Sequence, residues 1–141
     1  MGLFSSVTTA HYRAVALLWT LALVGAFMIP AESLSTVEPA LSYDKLAHIV
    51  LFAGFGGLWM RALCPPSTTD AETLRRCALG VLVIGVGFAV STEWLQHIAP
   101  IRRMADPYDV GADLVGLFVA VGAYGYHVRR TAVTPSAQSE T

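Results

Sequence analysis

The sequence predicts an all-α fold: a polytopic membrane protein built as a bundle of four transmembrane helices, with both termini on the cytoplasmic side. Three observations predict it. Hydrophobic residues make up 55% of the 141-residue chain against 13% charged, and the mean hydropathy is +0.57, which leaves too little polar surface for a soluble domain. The apolar residues collect in four runs separated by polar, proline-bearing stretches. The basic residues divide unevenly among those stretches. A net charge of -1 also argues against nucleic acid as a partner, because no basic surface is available to neutralise phosphates.

The first run, Ala14 to Pro30, holds 17 residues without a charge, near the lower limit for crossing about 30 Å of hydrocarbon. A secretory signal is the competing explanation. Met28 and Ala31 do not give a small-x-small cleavage site, however, and the run exceeds an ordinary apolar signal core of roughly 7 to 15 residues, so a retained helix is expected. Residues 31–45 contain Pro39 and read as a loop.

The second span runs from about Leu46 to Cys64, with Ser42 or Asp44 as its N-cap. Cys64-Pro65-Pro66 ends it, since proline bars the preceding residue from helical geometry. Thr69 or Asp70 then caps a short helical lead-in to the third span, Cys77 to about Ile98, which Ala99-Pro100 terminates. Asp106-Pro107 is an N-cap followed by proline at the first helical position, where its missing N–H costs nothing. The fourth span runs from Tyr108 to about Val128. The whole chain is expected to be one domain with a core of about residues 14–128 and a disordered tail, 129–141.

Six arginines (Arg13, Arg61, Arg75, Arg76, Arg129 and Arg130) would lie at one end of such a bundle, and Lys45, Arg102 and Arg103 at the other. The excess of positive charge in cytoplasmic loops puts the termini and the 65–75 loop inside. Cys64 and Cys77 then flank a cytoplasmic loop, where a reducing pool keeps them as thiols. Tyr43, Trp94 and Tyr108 suit an outer aromatic belt, and Trp59, Tyr124 and Tyr126 an inner one.

The polar residues concentrate at the outward end. Asp44 and His48 share a face with Phe52 and Gly56, while Glu93 and His97 follow Gly85 and Ala89 at intervals of four. Asp109 and Asp113 continue into Gly116 and Ala120. Small residues at this spacing let helices approach closely, so these faces point inward and carry their ionisable groups with them. Each uncharged run is shorter than about 20 residues, which places His48, Glu93 and Asp113 below headgroup level. A charge there costs on the order of 2.5–3.5 kcal/mol at the helix centre and demands a partner. The expected pairs are Glu93 or Asp113 with Arg102 or Arg103, and Asp44 with His48. Lys45 either joins them or snorkels to the interface, and Gln96 and His97 also suit simple caps of the third span.

Asp44-Lys45-x-x-His48, then Glu93-x-x-Gln96-x-x-x-Pro100-x-Arg102, then Asp109-x-x-x-Asp113-x-x-Gly116, resembles the VanZ-like family of bacterial membrane proteins. The resemblance covers roughly residues 40–125, and its specificity lies in the combination. It implies a small multi-span helical protein of the bacterial cytoplasmic membrane, whose founding member is linked to teicoplanin resistance. Two departures stand out. Asp113 sits where the family usually has Asn, and one extra residue separates the Pro100 region from Asp109. Counting forward from Gln96 therefore makes Arg102 the family arginine, and counting back from Asp109 makes it Arg103.

Two chemistries fit these residues. In the first, Lys45, Arg102, Arg103 and His48 hold the anionic group of a lipid or lipid-linked envelope precursor, and the carboxylates orient the bases. In the second, Glu93 or His48 is the general acid or base of a hydrolase or transferase, although no serine or cysteine nucleophile motif accompanies it. A structural subunit whose polar cluster only locks helix packing is the third possibility. His48, Glu93, His97 and an aspartate supply metal-binding atoms, but their spacing is no zinc signature, so neither a metal nor another cofactor is expected.

Overall fold

Four helices follow the four apolar runs. The computed structural model describes residues 9–28, 40–67, 70–98 and 106–133. They form α1 (Thr9–Phe27), α2 (Ala40–Leu63), α3 (Ala71–Ile98) and α4 (Pro107–Val133), with no strand among the described residues. All four are long and apolar enough to cross a membrane. At 1.5 Å per residue even α1, with 19 residues, extends about 28 Å.

The helix boundaries differ from expectation in instructive ways. α2 begins at Ala40, so neither Ser42 nor Asp44 caps it. Asp44 lies in its second turn, because an alanine and a serine after Pro39 are enough to start a helix whose later turns are held by packing. Asp70 caps α3, accepting from the backbone N–H of Thr73 at 2.7 Å, and the lead-in and third span form one continuous helix. Asp106 caps α4 through the N–H of Tyr108 at 2.9 Å, with Pro107 in the first helical position. α4 continues to Val133, so residues 129–133 belong to a helix and not to a tail. Residues 134–141 lie outside the described residues.

The centre of the molecule is a parallel pair, α2 and α4, which share the largest helix interface. Contacts advance together along both: Lys45 meets Asp109, His48 meets Asp113, and Gly56 faces Leu117 and Ala120. Gly116 is where the two backbones come closest, for a Cβ there would strike the carbonyl oxygen of Ile49 and lie 3.0 Å from the Ala53 nitrogen. Leu117 fills the notch left by Gly56 of α2 and Gly85 of α3. The expected packing positions Gly56, Gly85, Ala89 and Gly116 are all buried, and Ala120 is half-buried against Gly56.

α1 packs on α2, barely touches α3 and does not contact α4. Trp19 lies over Gly54 and donates its indole N–H to the Leu51 carbonyl at 2.9 Å, while Trp59 donates to Thr20 Oγ1 at 3.1 Å. Tyr124 donates its hydroxyl to the Cys64 carbonyl just beyond the end of α2, at 2.5 Å. Trp59 and Tyr124, expected in an inner aromatic belt, are half-buried and each fastens one helix to another. Tyr126, Trp94 and Tyr108 are exposed as belt residues would be, and the Tyr43 side chain lies outside the described part. Phe27, Phe52, Phe55 and Phe88 stack through the middle of the core. Outside, the surface stays apolar, with Leu18, Leu21, Ile84 and Val119 exposed and Val83 72% exposed. Such a belt is far larger than a soluble monomer tolerates and is consistent with a multi-pass membrane protein.

Gly116→Ala is expected to lower stability in detergent micelles by about 1–3 kcal/mol, because the central pair must separate to admit a methyl group. Gly111→Ala has nothing within 4 Å of the new atom and should be neutral or stabilising by up to about 1 kcal/mol from helix propensity. Thermal unfolding of the two variants against the parent checks both.

Candidate functional site

The parallel pairing of α2 and α4 sets two i, i+4 faces opposite each other, Asp44/His48 on one helix and Asp109/Asp113 on the other. Because both helices enter from the same end, both positive N-termini lie there, which favours the carboxylates collected around them. Lys45 Nζ donates to Asp109 Oδ1 at 2.8 Å and to Asp106 Oδ2 at 2.9 Å. One turn deeper, His48 Nδ1 is 2.9 Å from Asp113 Oδ1. A carboxylate only accepts, so Nδ1 donates, and the lone pair of the neutral ring is left on Nε2. The Phe27 ring of α1 stacks on the imidazole at 4.6 Å between centroids, which fixes the ring plane from the other side.

Side-chain exposure falls steadily along this network, from 35% at Asp106 and 28% at Lys45 through 8% at Asp109 to 3% at His48 and 2% at Asp113. The order describes a path from an exposed mouth to a buried floor. At the floor, His48 Nε2 is buried without a hydrogen-bond partner and stands 3.8 Å from Asp109 Oδ2, too far for a hydrogen bond. Asp44 is half-buried beside them: one ligand atom from each of Asp44, His48 and Asp109 falls within 4.8 Å of the others.

α3 reaches the site by its last turns. Glu93 Oε1 accepts the backbone N–H of Asp106 at 2.5 Å, tying α3 to the start of α4. Gln96 is buried and donates to the Phe27 carbonyl at 3.2 Å, satisfying a helix-end acceptor of α1. Ser91 and Thr92 bond back to carbonyls of their own helix. Thus Asp44, Lys45, His48, Glu93, Gln96, Asp109 and Asp113 all gather at one end of the bundle.

The described residues settle some of the expected pairings. Asp113 partners His48, and Lys45 is held by two aspartates. Glu93 accepts the Asp106 backbone amide and lies within electrostatic reach of His48, one of the partners expected for it. Arg102, Arg103 and the His97 side chain lie outside the described residues. Asp106, read from sequence as a cap within the polar cluster, is also an arm of the lysine pair. Its capping signal was visible; its second role depends on α2 lying beside α4, which no local pattern encodes. No protein-family model, curated protein or solved structure matches the chain.

The Lys45 ammonium, then the Tyr108 N–H, hold the Asp106 carboxyl below its ordinary value of 3.8. A carboxyl depressed by folding contributes stability that is complete above that ordinary value and is lost as pH falls through the lower, folded one. Lys45→Gln should therefore flatten the acid limb of a stability profile measured below about pH 4. At neutral pH, loss of the buried Asp109 arm should cost about 1.5–3 kcal/mol. An unchanged acid limb in the variant contradicts the pairing.

Proposed function

We propose that this chain is a VanZ-like multi-pass protein of the bacterial cytoplasmic membrane, with both termini inside and the Asp44–Asp113 network facing outward. There it holds the anionic headgroup of a lipid or lipid-linked envelope precursor. The observation that carries the proposal is the graded network itself. Seven polar side chains drawn from three helices converge at one end of the bundle, and ionisable groups within a membrane are costly and usually functional. Lys45 is committed to Asp106 and Asp109, so the anion falls to Arg102 and Arg103, which the sequence places between α3 and α4. The planar guanidinium grips a phosphate or carboxylate through two parallel bonds, while the aspartates fix the register of the site. In a bacterium the same role offers a route to altered glycopeptide susceptibility of the teicoplanin type.

The orientation rests on the six-to-three distribution of basic residues. In a Cys64→Ser/Cys77→Ser background, cysteines placed at Ser35 and Ala105 should react with an impermeant reagent on intact cells, and one at Ser67 should not. Labelling at Ser67 from outside reverses the proposed topology.

Glu93→Gln separates a charged functional centre from a packing device. Glutamine keeps the acceptor oxygen that binds the Asp106 amide, so membrane levels should stay near those of the parent. Complementation of a deletion strain should nevertheless fall about tenfold or more, the effect of removing one charge-assisted contact of about 1.5–3 kcal/mol. Full complementation by Glu93→Gln leaves only the packing role for this residue.

A further inference from the structure

The floor of the network has the parts of a metal centre. His48 is 2% exposed, and its Nε2 is buried with no hydrogen-bond partner; leaving such an atom unpaired is costly. The ring is already oriented by Asp113 on Nδ1 and by Phe27 on its face. A carboxylate on the far nitrogen of a histidine is the arrangement that fixes the tautomer and raises ligand basicity in metal sites.

Asp109 divides its two oxygens, Oδ1 to Lys45 and Oδ2 toward His48 Nε2. The 3.8 Å between Oδ2 and Nε2 exceeds a hydrogen bond, yet two metal bonds of about 2.1 Å bridge up to about 4.2 Å. Asp44, one turn before His48 on α2, completes the group: one ligand atom from each of Asp44, His48 and Asp109 lies within 4.8 Å of the others. Charge points the same way. Among the described residues the site gathers Asp44, Glu93, Asp106, Asp109 and Asp113 around Lys45 and His48, and an added cation offsets that acidic excess where the surroundings are dry.

We propose that Asp44, His48 Nε2 and Asp109 Oδ2 bind a divalent transition-metal ion, zinc before others, with Asp113 as the residue that positions the histidine. One nitrogen and two carboxylate oxygens suit zinc, and three protein ligands leave a fourth position open for water or an oxygen donor. The proposal stands on these residues alone and does not depend on the headgroup assignment.

Tag-free protein in detergent micelles, incubated with zinc chloride and then desalted, should retain about one zinc per chain by elemental analysis. Asp44→Asn and Asp109→Asn should each weaken zinc binding by roughly tenfold or more, and Asp113→Asn by about 10–100-fold. Cys64→Ser/Cys77→Ser should leave retention unchanged, which separates this site from the thiols at the opposite end. His48→Ala strands Asp113 and is expected to unfold, so the half-buried Asp44 carries the test, with circular dichroism confirming helix content. Retention no greater in the parent than in Asp44→Asn overturns the proposal. So does zinc that disappears with the cysteines and persists without Asp44. A parent protein that retains no zinc overturns the metal site and leaves the headgroup assignment untouched.

Discussion

Everything at the polar end depends on how closely α2 and α4 approach. At Gly116 the α4 backbone lies directly on the α2 backbone, with no room for a side chain beyond hydrogen. A Cβ at that point would push the helices apart by something near its own radius. The ion pairs in the two turns before it, 2.8–2.9 Å long, would then open into gaps that only water could fill. In hydrocarbon, where packing and polar bonds carry helix association in place of the hydrophobic effect, the glycine contact and the polar ladder reinforce one another: closeness makes the bonds short, and the bonds fix the register at which closeness is possible.

That mutual dependence explains why the helices are parallel neighbours although they are not consecutive in the chain. α2 and α4 both begin at the polar end, so their N-terminal dipoles add there. The acidic residues Asp44, Asp106, Asp109 and Asp113 lie within the first two turns of one helix or the other or at its cap. α1 and α3 run the other way and bring their C-terminal turns to the same place. Gln96 of α3 accordingly meets the Phe27 carbonyl of α1, and Glu93 meets an N–H at the start of α4. A carbonyl at the end of α1 and an N–H at the start of α4 thus each find a side-chain partner on a neighbouring helix, as a backbone shielded from water requires.

How much of this was legible in the sequence follows from which signals are local. The four apolar runs, the proline stop after Cys64 and the Asp106-Pro107 start are written in neighbouring residues, and the helices obey them. The small residues Gly56, Gly85, Ala89 and Gly116 lie on one face each, and that periodicity placed them in the interior correctly. The partners of the polar residues were legible only within one helix: Asp44 and His48, one turn apart, are neighbours as expected. Spacing shows that His48 and Asp113 both face inward, but not that α2 chooses α4, so the His48–Asp113 pair could not be read from it. An aromatic near a helix end reads alike whatever it bonds to, so the hydroxyl that Trp59 meets and the carbonyl that Tyr124 meets on other helices were not legible. The start of α2 was misplaced because Asp44 has the chemistry of a cap as well as that of a partner for His48.

The gradient of exposure from Asp106 to Asp113 limits what this end of the bundle can do. Were the network only a packing lock, burial alone would satisfy it, and a fully paired set of polar atoms would be the stable outcome. The upper part is paired in that way: Lys45 bridges two carboxylates, and Asp106 also caps α4. The lower part is not, because the most deeply buried imidazole keeps one nitrogen without a partner while its other nitrogen and its ring face are both held. Orientation from two sides with the third left unpaired costs free energy that a fully paired network would avoid. The open side faces Asp109 across 3.8 Å, and the other oxygen of that carboxylate already holds Lys45. A charge placed at Nε2 would therefore act through a single carboxylate on Lys45 and, through the lysine, on Asp106, because polar groups in a low dielectric polarise one another.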